Sequence, residues 1–150
     1  MKSSVLKRQS IMFIVMVIVG ILFNAMNVLA YRLSDLYISY TLFYGGLLMA
    51  SNMMWAHEIV HYLSTGHMNS LVLCIGIALS IGVSILLLRE QLFVDDKQWL
   101  RRMISHHSTA LTTSHHIYNK TGNPKVKQLA KEIIVTQEKE IQIMKSMLTP

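Results

Sequence analysis

The chain has one cysteine, Cys74, lodged mid-run in an apolar stretch. No disulfide framework is therefore available, and a small packing residue is the plain reading of its thiol. Proline is nearly as scarce, with only Pro124 and Pro150. Charge is missing altogether from three runs: Ile11 to Tyr31, Leu36 to Ala56 and Leu71 to Leu88. None of them holds a proline, and each is close to the ~20 residues that a helix needs to cross a hydrocarbon layer of ~30 Å. Strand-like alternation, internal repeats and low-complexity tracts are absent too. No basic run is interleaved with aromatics, which argues against a nucleic-acid partner despite the net charge of +6.

What is present reads as an all-α membrane protein. The expected membrane domain is 1–90, with transmembrane helices at about 11–31, 36–56 and 71–88 and the lipid bilayer as its first partner. The first run has a second reading as a signal peptide, because Lys2, Lys7 and Arg8 precede it and Val28-Leu29-Ala30 resembles a cleavage site. Either way, Arg32 to Asp35 falls outside the cytosol. The basic N-terminus is expected to stay cytosolic, so three crossings put the C-terminal region outside. The cluster Arg89, Lys97, Arg101 and Arg102 pulls the other way.

Beyond residue 90 the composition turns polar and periodic. A helical hairpin is expected over 91–150, its arms at about 95–121 and 124–148. Asp95 or Asp96 is available to cap the first arm. Gly122 is suited to a left-handed end, and Asn123 followed by Pro124 starts the second arm. At 100° per residue, Val126, Leu129, Ala130, Ile133, Ile141, Met144 and Leu148 form one apolar stripe, with Gln137 and Glu140 inside it. Facing it are Trp99, Met103, Ala110, Ser114 and Ile117, with His106 and His107 in the same arc. Burying such polar groups is costly unless they are paired or bound to a metal.

Thioether and imidazole together suit Cu(I) and Ag(I), and imidazole suits Cu(II). Met103 and His107 stand one helical turn apart. With His106 and with Met144 from the second arm they form a candidate metal site, and Gln137 and Glu140 are placed to orient the imidazoles. On spacing alone, an ordinary core in which the two histidines hydrogen-bond Glu140 and Gln137 is an equal alternative. His115 borders the inward face as a possible extra ligand, whereas His116 points away.

The stretch "DDKQWLRRMISHHSTALTTSHH…NPKVKQLAKEIIVTQEKEIQIMKSML" resembles the ferritin-like domain-of-unknown-function family three-zero-five, whose characterised members are periplasmic copper-binding proteins of the CopM type. Asp96, Met103, Ile104, His106 and His107 match the first half of the family pattern. Ala130, Ile133, Ile134, Gln137, Glu140, Ile141 and Met144 match the second. Ser105 stands where the family usually has proline, which predicts a locally straighter helix, and Trp99 replaces the usual aromatic. The resemblance implies a ferritin-like hairpin that handles copper, with silver as a stand-in and zinc less suited. It also implies a copper-handling protein as a partner.

A different motif lies in "WAHEIVHYLSTGH", residues 55–67. His57, Glu58 and His61 spell the H-E-x-x-H of zinc proteases, and His67 occupies the place of a third ligand. The glycine that would turn the chain toward it is replaced by Ser64, with Gly66 two residues late, and no strand is present to hold a substrate. The chain is therefore read as non-enzymatic. Met49, Met53, His57 and His61 recur every four residues and form a second candidate soft-metal ladder at one end of a membrane helix.

A short hairpin buries little on its own, so a homo-oligomer is expected, two copies forming a four-helix bundle. The expected function is binding of copper or silver at the membrane surface for sequestration, delivery or resistance. A non-catalytic dimerisation or scaffold module is the rival.

Overall fold

A computed structural model describes the backbone of residues 2–148 and the side chains of 5 and 7–148. The fold is all-helical, with no strand among the described residues. In chain order it contains α1 (Lys2–Leu22), α2 (Ala25–Val28), a 3-10 turn (Leu33–Asp35), α3 (Tyr40–Thr65), α4 (Ser70–Gly82), α5 (Asp96–Lys120) and α6 (Pro124–Leu148). A wider π-helical stretch, Val83–Arg89, continues α4 and closes with the Glu90 N–H on the Ile85 carbonyl at 3.2 Å. Among the described residues two segments are long and apolar enough to cross a membrane, Lys7–Val28 and Ser70–Arg89, and the expected span at 36–56 is not one of them. In α3, Asn52, His57, Glu58 and His61 dilute the apolar run.

The first apolar run does not form one helix. It breaks after Leu22 because Asn24 turns extended and its side chain accepts the Asn27 N–H at 3.0 Å, starting the short α2. This is an ordinary N-cap. At the end of α3, Gly66 takes a left-handed φ of 74°, and its N–H bonds the Tyr62 carbonyl at 2.8 Å.

The contacts divide the chain into two units, which do not follow the linear division at residue 90. One comprises Met1–Leu22 with Tyr40–Phe93, and the other Phe23–Ser39 with Val94–Pro150. In the first unit, glycine sets the helix crossings. A Cβ on Gly46 would stand 2.9 Å from the Val17 carbonyl oxygen, and one on Gly76 would stand 2.9 Å from the Trp55 nitrogen. Such close backbone approach is how helices pack where lipid supplies no hydrophobic drive. Gly46→Leu is therefore expected to lower the stability of the chain in detergent by about 1–3 kcal/mol, the usual range for overpacking. At Gly45 an added Cβ meets nothing within 4 Å, so Gly45→Ala is the control that should leave thermal melting unchanged or slightly raised.

In the second unit, α5 and α6 pack around Leu100, Ile104, Leu111, Ile141 and Met144, with Tyr37, Met103, Ile134 and Leu148 against them. The hairpin's ends follow the sequence closely. Asp95 accepts the Gln98 N–H at 2.7 Å, and Asn123 accepts the Lys125 N–H at 3.0 Å, with Pro124 opening α6. Gly122 corrects the sequence expectation, since it takes no positive φ. Instead α5 ends on an extended Thr121, whose N–H bonds the Ile117 carbonyl at 2.9 Å.

Candidate metal centre

The α5 and α6 stripes bring most of the expected residues to one part of the hairpin. Met144 is 6% exposed inside the core cluster, and Met103 packs against that cluster. The two thioethers therefore lie on the inner side. His107 is next in depth, its side chain 13% exposed, with Nδ1 3.0 Å from Glu140 Oε2. That approach is close enough for charge attraction but is off the N–H direction, so the buried Nδ1 has no formed hydrogen bond. His106 is exposed and meets the His107 ring edge-on, centroids 5.8 Å apart.

Burial pushes His107 below the ordinary imidazole value of 6.5; Glu140 pulls it back up, and His106 adds to the depression. The net effect favours neutral imidazole, which is the form that binds a metal. Gln137 donates to Glu140 Oε2 at 3.4 Å rather than to an imidazole. Glu140 is thus the group beside His107, and Gln137 steadies Glu140. Among the described residues no cluster of three or more His, Cys, Asp or Glu is placed to hold an ion.

Several residues expected to face inward do not. Trp99, Ile117, Val126 and Leu129 are exposed. A pair of helices buries only the strip between them, and the flank beyond that strip stays open. His115 also departs from the site. It stacks on Tyr31, centroids 4.8 Å apart and 11° from parallel. His116 is exposed, as its position on the helix predicts.

The residues that sequence reasoning missed lie in 23–39. Asp35 is 0% exposed; its carboxylate accepts the Ser108 hydroxyl at 2.7 Å and pairs with the Lys145 ammonium. Ser108 in turn accepts the Tyr31 N–H at 2.9 Å. Ser105 donates to the Asp35 carbonyl at 2.8 Å and accepts the Tyr37 N–H at 3.2 Å. Each serine thus serves as donor and acceptor at once. A proline at 105 would lack the hydroxyl, so the departure at that position supplies a clasp next to the two histidines. Thr109 adds a bond to the Met26 carbonyl at 3.1 Å, and Arg32 pairs with Glu138 at 2.8 Å. The one available signal was a lone Asp between two apolar runs.

In the other unit the ladder on α3 splits. Met49 and Met53 line a groove with Met16 of α1. His57 and His61 stack on each other, centroids 6.4 Å apart and 8° from parallel. Glu58 is 3% exposed, and its two oxygens accept Gln9 Nε2 and the Asn69 N–H, both at 3.1 Å. His67 Nδ1 lies 2.9 Å from the Thr65 carbonyl oxygen.

Comparison with known proteins places the sequence in a family. Residues 88–148 match the family described as Domain of unknown function (DUF305), a span that covers both arms of the hairpin. No solved structure matches. An uncharacterized protein of Acanthamoeba polyphaga mimivirus is 39% identical over 129 residues, which cover 83% of this chain and 81% of that one. The relation thus reaches well beyond the hairpin, and the chain belongs to the DUF305 family.

Proposed function

We propose that this protein is a multi-pass membrane protein that binds soft metal ions, copper or silver, on an extracytosolic helical hairpin. The observation that carries the reading is a partly buried His107, its Nδ1 3.0 Å from Glu140, one helical turn from Met103, which packs against the core cluster that holds Met144. Met103, His106, His107 and Met144 are the ligands, with Glu140 orienting His107 and Gln137 holding Glu140. The role is non-catalytic sequestration or delivery, as in the CopM-type proteins that the hairpin resembles. Both oxygens of Glu58 are engaged by Gln9 and Asn69, which favours a structural carboxylate over a proteolytic base. Titration of the full chain in detergent with Cu(I), Ag(I) and Zn(II) tests the reading. Cu(I) and Ag(I) should bind at the hairpin with zinc much weaker, and a zinc preference would overturn it.

Three crossings are favoured over two by the composition of the hairpin unit. If α1 crosses the bilayer, the segment 23–39 emerges on the far side. That segment packs within the same unit as 94–148, so residues 40–93 have to bring the chain back to that side. Two crossings do this, which supports α3 as a span alongside α4 despite its polar residues. Reporters placed in the loop at Gly66 and after Leu148 should accordingly report opposite sides of the membrane, with the second extracytosolic. Reporters on the same side would remove α3 as a span.

The exposed Trp99, Leu129 and Met147 favour a second copy covering the hairpin's open flank to complete a four-helix bundle.

A further inference from the structure

Three methionines of the first unit line one groove. They are Met16 on α1 and Met49 and Met53 on α3, and the groove measures about 500 Å³, with Asn52 at its wall. The helices that form it approach closely, since a Cβ on Gly20 would stand 2.9 Å from the Gly46 Cα. Met49 packs into the same crossing, its sulfur 3.1 Å from where that Cβ would be. Gly45 also lines the groove and faces open space, an added Cβ meeting nothing within 4 Å. The groove thus has room for an ordinary side chain at Gly45.

Three thioethers in an apolar groove are a poor environment for a hydrated divalent ion, which would have to shed tightly held water. A soft monovalent ion of the Cu(I) or Ag(I) type loses less on dehydration and bonds well to neutral sulfur. Ordinary packing would explain one methionine filling a gap. It does not by itself explain three that line one groove. We infer that Met16, Met49 and Met53 form a second soft-metal site in the membrane domain, for Cu(I) or Ag(I) bound by thioether sulfur alone. His57 and His61, stacked on each other farther along α3, are not part of it. The inference shares its ion class with the hairpin reading but none of its residues.

The test uses the full chain in lipid nanodiscs, labelled with ¹³C at the methionine methyls and titrated with Ag(I). The hairpin is disabled by His107→Ala with Met144→Leu, so that a response at the groove is read by itself. The methyl resonances of Met16, Met49 and Met53 should shift together and saturate at one ion. Met16→Leu with Met53→Leu, which keeps volume and apolarity, should weaken that binding at least tenfold and leave an intact hairpin's response unchanged. Gly45→Leu, which fills the groove without replacing a ligand, should weaken it as well. If the three methyls stay in place while Ag(I) still shifts Met103 and Met144 in the wild type, the groove inference falls and the hairpin reading stands. If the groove methyls shift while those of the hairpin do not, the converse holds.

Discussion

Lys145→Met is expected to cost the hairpin unit about 3–5 kcal/mol, the range seen when one partner of a buried ion pair is removed. Asp35 has no exposed surface, and Lys145 is the cation beside it. Without Lys145 the carboxylate would stay buried with the Ser108 hydroxyl as its side-chain donor. The reverse change should be milder. Asp35→Asn keeps an acceptor for Ser108, and the freed ammonium, already about a third exposed, can turn to water. Its cost should therefore lie near the ~1–3 kcal/mol of an imperfectly satisfied buried polar group. The double variant should recover most of the loss from Lys145→Met, since no buried charge then remains unpaired. Hydrogen exchange supplies a local readout: the Tyr31 and Tyr37 amides, which donate to Ser108 and Ser105, should lose protection first. A Lys145→Met cost no larger than that of Lys131→Met, on the exposed face of the same helix, would show that the clasp contributes nothing.

The hairpin's two arms were legible in the sequence because their signals are local. Asp95, Asn123 and Pro124 each act within a turn of their own position, and the stripe of Ala130, Ile141 and Met144 on α6 needs nothing from elsewhere. On α5 the buried apolar residues are Leu100, Ile104 and Leu111, a face rotated from the one expected through Trp99, Ala110 and Ile117. The contribution of 23–39 was not legible, for the opposite reason. Asp35 meets Ser108 and Lys145 across separations of 73 and 110 residues, and no periodicity encodes a contact of that range. The break of α1 lay between these cases. Asn24 is a recognisable cap, but the apolar run on either side of it, Ile11 to Tyr31, hid the interruption. Gly122 erred in another way: glycine permits a left-handed helix end without requiring one, and Thr121 was able to leave the helix in an extended conformation.

For the candidate site, residue type and helix face went together for Met103, His107 and Met144, and the face was right for His116. His106 is exposed and lies outside that inner set, its side chain 100° round the helix from that of His107. Met16 was missed because the ladder on α3 was read along one helix, and the crossing at Gly20 and Gly46 that brings α1 beside it is a tertiary fact.

Cu(I) binding by the hairpin is expected to fall at least tenfold in His107→Ala, equivalent to about 1.4 kcal/mol. The buried Nδ1 of His107 lacks a formed hydrogen bond, so its removal takes away a nitrogen ligand without stranding a partner other than Glu140. Met144→Leu separates the ligand from the packing role. Met144 belongs to the core cluster with Leu100, Ile104 and Ile141, and a volume-conserving swap there should cost under ~1.5 kcal/mol of stability. The same swap replaces sulfur with carbon, so Cu(I) affinity should drop even though the fold survives. His106→Ala should have a smaller effect than His107→Ala, because its ring is exposed and easily replaced by solvent or an added ligand. His116→Ala, on the exposed face, should leave binding at the wild-type level. Cu(I) competition against a chromophoric chelator, run beside thermal unfolding of each variant, gives both quantities. If His107→Ala and Met144→Leu both bind Cu(I) at wild-type strength, the two histidines are ordinary side chains of a helical bundle. The open flank at Trp99, Leu129 and Met147, and the copy of the chain that would cover it, would then account better for the hairpin.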